Sequence, residues 1–296
     1  MAPKLSHHII LEALFLLFLI QALFVKSESQ FSKSLRLFHE ARKGYTIEGL
    51  NHVKQYLEAL GYYSIGGSNL TDDFDDSLES ALKAYQQHYR LEITGRMDSD
   101  TMKKMSIPRC GVRDIFDYSN DGVKFITVAN YSFFEGMPRW NKRQLTYKFR
   151  SSAHVISVRR LRPIITRALQ KWAVVSDFTF REVRFFSRSD VVLGFHRRGH
   201  GDNYPFDGPG NVLAHAFAPQ YGKLHFDADE NWSSNNLTRF NQIDLESVSI
   251  HELGHILGLG HSRDPDAIMY AYYMPGSIKR DLSQDDIDGI RALYSH

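Results

Sequence analysis

The segment His251-Glu252-Leu253-Gly254-His255-Ile256-Leu257-Gly258-Leu259-Gly260-His261 carries three imidazoles and a carboxylate at a spacing that suits a metal ion. On a helix, residues i and i+4 share a face, so His251 and His255 can aim two rings at one point. A catalytic zinc takes three protein ligands and leaves a fourth position for water. His261 is too far along to join if the helix continues. Gly258 can adopt the left-handed conformation that ends a helix, and the chain can then turn back to deliver His261. Glu252 is not expected to be a ligand. Beside His251 it can take a proton from the zinc-bound water and pass it to a leaving amine, the chemistry of peptide-bond hydrolysis. A tight turn at Ala267-Ile268-Met269-Tyr270 would place Met269, eight residues beyond His261, as an apolar floor beneath the histidines.

The elements that must position these groups come from a chain of 296 residues, long enough for two domains. With 43% hydrophobic and 24% charged residues, the composition excludes general disorder and a polytopic membrane protein. The net charge of +2 gives no reason to expect nucleic acid or acidic lipid as a partner. A greasy run, Ile9 to Val25, follows Lys4 and precedes Ser27 and Ser29. It reads as a secretory signal peptide over residues 1–29. No hydrophobic tail suggests a stable membrane anchor. Sequons at Asn69, Asn130, Asn231 and Asn236 fit a secreted glycoprotein. In an oxidising compartment a single cysteine, Cys110, needs a partner or a special role.

Residues 30–105 read as a small helical domain. Leu50, Val53, Leu57 and Leu60 recur at helical spacing before Gly61, and Leu78, Leu82 and Tyr85 follow an acidic run, Asp72 to Asp76. The run is read as a solvated helix start, which the helix dipole favours. Asp98 is placed to cap a third helix. Residues 106–130 read as a linker or exposed strap, continuing without periodicity to 143. Beyond it, Leu145, Tyr147 and Phe149 alternate as in a strand, Ser157 to Trp172 is helical, and strands are expected near 178–183, 191–195, 214–217 and 224–226. Helices are expected from Ile243 to Leu257 and from Gln284 to Tyr294, the latter behind a Ser283/Asp286 capping box. The mixture indicates an α+β fold.

The zinc motif and the methionine turn resemble those of the metzincins, and the rest of the chain is similar to a short matrixin, a matrix metalloproteinase without a C-terminal propeller. The resemblance implies a twisted mixed sheet with three helices over residues 131–296, behind a helical propeptide. It implies that Pro108-Arg109-Cys110-Gly111-Val112-Arg113-Asp114 is a cysteine switch: Cys110 takes the fourth position on the catalytic zinc and keeps the enzyme latent, with Arg109 and Asp114 paired. Arg113 stands where the family usually has proline, a change expected to loosen this loop. His200, Asp202, His215 and His225 match the family's structural zinc site, making two zinc ions in all. Asp207, Gly208, Gly210, Val212, Asp227 and Glu230 match a calcium site, so at least one calcium ion is implied. The strand near Leu213 would receive extended peptide substrates, Tyr273 would wall the neighbouring pocket, and one of Asp285 and Asp286 would receive the ammonium of a new N-terminus near Tyr131. The expected protein is thus a secreted, monomeric zymogen acting on extracellular proteins, with an activating protease as a further partner. The competing expectation is a catalytically silent binding protein on the same fold. The presence of Glu252 with all three histidines favours the enzyme.

Overall fold

The computed structural model describes residues 30–64, 70–114, 118–119, 122–123 and 130–295. The signal-peptide expectation and Asn69 lie outside these residues. No helix among those described is long and apolar enough to cross a membrane.

The described chain has two hydrophobic cores. The first belongs to four helices, α1 (Gln30–Leu35), α2 (Asn51–Ala59), α3 (Asp76–His88) and α4 (Ser99–Met105), and gathers Phe38, Leu57, Leu82 and Tyr85. The acidic run caps helix starts. Asp75 caps α3 by accepting the Leu78 N–H, Asp72 accepts the Asn51 N–H, and Asp73 accepts the Thr46 hydroxyl. Asp98 caps α4 through the Thr101 N–H.

The second core lies between a mixed sheet and three helices. The strands are β4 (Gln144–Phe149), β5 (Thr179–Glu182), β6 (Val191–His196), β7 (Val212–Ala216) and β8 (Lys223–Asp227), in the order β7-β8-β6-β4-β5, with β7 antiparallel to β8 and the rest parallel. Helix α5 (Val158–Val175) runs three residues past the expected Trp172 and packs on α6 (Leu245–Ile256), where the Trp172 indole donates to the Ile250 carbonyl. Helix α7 (Gln284–Tyr294) starts at the Ser283/Asp286 capping box.

The strap was expected to be irregular. In the structure its residues Arg109–Cys110 form a further strand, β1, parallel to β7 at the sheet edge. Arg109 and Gly111 donate to the Asn211 and Ala214 carbonyls (2.7 and 2.8 Å). On its other side Cys110 donates to the Ala271 carbonyl and Tyr273 donates to the Pro108 carbonyl. Two residues have no periodicity of their own; both sets of hydrogen-bond partners come from elsewhere in the chain. Short paired strands also occur at Tyr118–Ser119 (β2) and Gly122–Val123 (β3), and at Trp232–Ser233 (β9) and Ile243–Asp244 (β10).

Candidate metal centres

Helix α6 is buried along its whole length, so each polar side chain on it must find a partner. Glu246 takes a bidentate bond from Arg167, Ser247 bonds the cap Asp244, and Ser249 bonds back to the Leu245 carbonyl. His251 and His255 donate Nδ1–H to the Ile268 and Leu259 carbonyls, both at 2.7 Å. That fixes the tautomer and leaves each Nε2 lone pair free. Glu252 differs: both carboxylate oxygens are buried without a hydrogen-bond partner. Burial pushes its pKa up to about 8, against a smaller lowering by the Cys110 thiol.

After α6 the chain reverses at Gly258, whose φ is +105°; a Cβ there would meet the Pro138 carbonyl at 2.6 Å. The turn delivers His261. Its Nε2 lies 3.3 Å from that of His255, which is 3.0 Å from that of His251, and the Cys110 sulfur is 3.4 Å from His255 Nε2. Ligands at the usual zinc distances in a tetrahedron stand about 3.3 Å apart, so this spacing fits a zinc ion. All four ligand atoms lie within 4.8 Å of one another, and the residues are buried. Burial and the neighbouring rings hold His251 and His255 well below the usual histidine range, which keeps them in the neutral, ligating form. Met269 lies under the site: a Cβ on Gly254 of α6 would come within 2.3 Å of its sulfur. Tyr273 stacks edge-on against His251 with centroids 5.6 Å apart.

The strap brings more than sulfur. Arg109 and Asp114 form a fully buried ion pair at 2.6 Å, and Asp114 Oδ1 also accepts His261 Nδ1–H at 2.7 Å. Tyr62 and Tyr89 donate their hydroxyls to the other Asp114 oxygen. Burial alone would raise the Asp114 pKa; Arg109 and His261 hold it well below the usual range. Arg113, where the family usually has proline, donates to the Glu58 carbonyl at the end of α2, a bond proline could not make. The tyrosines were missed from sequence. Tyr85 and Tyr56 meet the Tyr272 hydroxyl at 2.6 and 3.3 Å, and the Lys104 ammonium lies over the Tyr272 ring. Only the clustering of Tyr270, Tyr272 and Tyr273 after the methionine turn hinted at them.

A second group of four gathers on the loop before β7 and on β7 and β8. Asp202 Oδ2 lies 2.7–2.8 Å from nitrogens of His200, His215 and His225. Burial opposes ionisation of Asp202, but its bonds from His215, the Tyr204 N–H and His225 outweigh it and lower its pKa. Among the described residues these are the two sets whose ligand atoms converge within 4.8 Å. The carboxylates of Asp207, Asp227 and Glu230 do not form a third such set. They crowd one turn nonetheless, accepting N–H groups of Val212, Gly208 and Gly210. Burial pushes their pKa values up to about 7, 6 and 8, and Asp207 and Asp227 both add to the rise at Glu230. Asp285 Oδ1 accepts the Tyr131 N–H at 3.0 Å, while Asp286 accepts the Ile268 and Met269 N–H groups. Asn231 and Asn236 are exposed and Asn130 half-buried.

A mixed sheet with three helices, a helix bearing His251 and His255, a glycine turn returning His261 and a methionine beneath them define a zinc-dependent endopeptidase. The comparisons with known proteins make the assignment specific. The matrixin family model matches residues 139–295, and a peptidoglycan binding domain model matches residues 48–105. The chain is 45% identical to Metalloendoproteinase 1 of Glycine max over 85% of its length and 83% of that protein's. It is 43% identical to Metalloendoproteinase 5-MMP of Arabidopsis thaliana (85% and 72% covered) and 41% identical to Matrilysin of Homo sapiens (74% and 77%). This chain belongs to the matrixin family and is a metalloendopeptidase, a hydrolase; the family implies zinc.

Proposed function

We propose that the protein is a secreted matrixin zymogen, held latent by Cys110 and cleaving extracellular proteins once residues up to about 130 are removed. The observation that carries this reading is the Cys110 sulfur in the cluster of His251, His255 and His261, beside the buried Glu252 carboxylate. His251, His255 and His261 would hold the catalytic zinc, which when bound supplies Lewis acidity that polarises a scissile carbonyl and lowers the pKa of water. Glu252 acts as the general base: it accepts a proton from water and returns it to the departing amine. Departure of the prosegment frees the edge of β7 and the backbone of 271–273, the two rows of hydrogen-bonding groups that now hold residues 108–111. An extended substrate occupies that slot by strand addition.

His200, Asp202, His215 and His225 would hold a structural zinc. All four positions are filled from the chain, so that site has no catalytic opening. A calcium ion among Asp207, Asp227 and Glu230, with carbonyls of Gly208, Gly210 and Val212, would relieve the crowding of buried carboxylates. Asp285, already bonded to the Tyr131 nitrogen, is placed to receive an ammonium created by cleavage before that residue.

The test is hydrolysis of a quenched-fluorescent peptide after propeptide removal. Chelation should abolish cleavage. Glu252→Ala should lower kcat by about 10²–10⁴-fold, the usual worth of a general base, while bound zinc is retained. Equal rates for Glu252→Ala and the wild type would overturn the enzymatic role of this carboxylate.

A further inference from the structure

The near-neutral net charge conceals a strong segregation. Residues 139–190 contain thirteen Lys and Arg against three Asp and Glu, in a chain whose total is only +2. Two of the three acids are paired within the segment, Glu182 by a bidentate bond from Arg162 and Asp190 by Lys142, and two of the cations, Arg167 and Lys171, pair with Glu246 and Asp281 from outside it. Arg159, Arg181, Arg184 and Arg188 are exposed, and no described carboxylate pairs with them.

A groove of about 500 Å³ is lined by Lys148, Phe149, Val158, Arg162, Arg184 and Phe185, with Glu182 and Val183 completing its wall; Arg159 follows Val158 on α5, and Arg188 lies on the same connection as Arg184 and Phe185. The groove runs between the start of α5 and the β5–β6 connection. That connection is built to hold its shape. Lys148 donates to the Ser187 carbonyl, Ser187 closes a turn on Arg184, and Phe185 stacks edge-on against Phe186, which is 95% exposed. Stability does not explain the arrangement. The first turn of α5 has no acid and carries Arg159 and Arg160 against the helix dipole, and Ser157 makes no side-chain cap.

We infer that this groove is a docking site for a linear acidic polysaccharide. Guanidinium groups give forked bonds to carboxylate or sulfate, and the exposed phenyl faces offer apolar platforms for sugar rings. A concave channel with Arg162 on the α5 side and Arg184 on the β5–β6 side suits a chain threaded through it. The groove flanks β5, at the opposite end of the sheet from β1. Five strand spacings, about 24 Å, separate the two edges. Docking therefore leaves the peptide slot open, and the protein can be held on a matrix polymer while it works on nearby protein.

The experiment measures binding of the secreted full-length protein to polygalacturonate and to dextran sulfate over a range of salt, with neutral dextran and phosphatidylserine vesicles in parallel. Binding should be confined to the acidic polymers and weaken steeply with salt. The triple variant Arg159→Glu/Arg184→Glu/Arg188→Glu should bind at least about tenfold more weakly at physiological salt. Its slope of log affinity against log salt should flatten by about one for each arginine that pairs with the polymer in the wild type. Its melting temperature, and its peptide hydrolysis after processing, should match the wild type. A charge-reversed control, Lys83→Glu/Arg96→Glu on the helical domain, should bind normally. The inference is overturned if the control loses as much as the triple variant, if neutral dextran binds equally, or if the vesicles bind and the polysaccharides do not.

Discussion

The two four-ligand clusters are chemically close and differ in where the fourth ligand comes from. In one, Asp202 sits two residues from His200 on the same loop, and His215 and His225 close over it from paired strands. In the other, three histidines lie within eleven residues, and the fourth ligand, Cys110, arrives from a strand 141 residues upstream of His251. A ligand tied in by the local fold leaves only when the fold does. A ligand brought by a strap with its own anchoring domain can leave while the three-histidine frame stays. The contrast is what supports the proposal of a structural role for the first cluster and a switchable one for the second.

Breaking each cluster at its fourth ligand should therefore have opposite consequences. Asp202→Ala strands three imidazoles around an incomplete shell, and a loss of about 3–5 kcal/mol is expected, as for a broken buried ionic set. Thermal melting and zinc content should both fall. Cys110→Ser should leave stability nearly unchanged but raise peptide cleavage by the unprocessed chain at least about tenfold. An inert, stable Cys110→Ser precursor would count against the switch. Beneath the three-histidine frame, Gly254→Ala pushes a Cβ to 2.3 Å from the Met269 sulfur and 2.9 Å from Trp172. Overpacking costs about 1–3 kcal/mol, offset by about 1 kcal/mol of better helix propensity. A lower melting temperature without change of latency is expected.

The strap's hold can be sharpened through Tyr272. Tyr272→Phe removes a hydroxyl shared with Tyr56 and Tyr85 at a cost of about 1 kcal/mol, roughly a fivefold change in an equilibrium. Faster appearance of activity under a limiting activator is the readout, while the mature enzyme should melt as before. The smallest effect concerns acid. Burial would raise the pKa values of Asp75 and Asp98. Lys54 and the Leu78 N–H hold Asp75 below its ordinary 3.8, and the Thr94 hydroxyl and Thr101 N–H do the same for Asp98. A carboxylate depressed on folding adds stability that is present above its unfolded pKa and lost as pH falls through the folded one. Both groups cap helices of the first domain, so that domain should loosen below pH about 4. Melting curves at pH 6 and pH 3 check this.

Much of the catalytic frame was legible because it is local. The spacing of His251 and His255 needs only helical geometry, and Gly258 announces the turn that returns His261. The Ser283/Asp286 box and the caps at Asp75 and Asp98 are likewise written within four residues. What could not be read depends on contacts across long stretches of chain. Asp114 holding His261, and Tyr272 meeting Tyr56 and Tyr85, leave no periodic trace, since a tyrosine in a helix looks the same whether it fills a core or grips another domain. Strand β1 escaped notice for the same reason. Charge segregation was in plain view but averaged away in the net figure.

The bond between Asp114 and His261 carries one more consequence. Cys110 and Asp114 sit on a single five-residue bend, so in the proposed activation they would depart together. Losing the sulfur opens the centre. Losing the carboxylate strips His261 of the neighbour that made its imidazole a stronger electron donor. In the proposed zymogen, activation would thus unblock and retune in one movement and leave the mature centre a poorer donor set than the latent one.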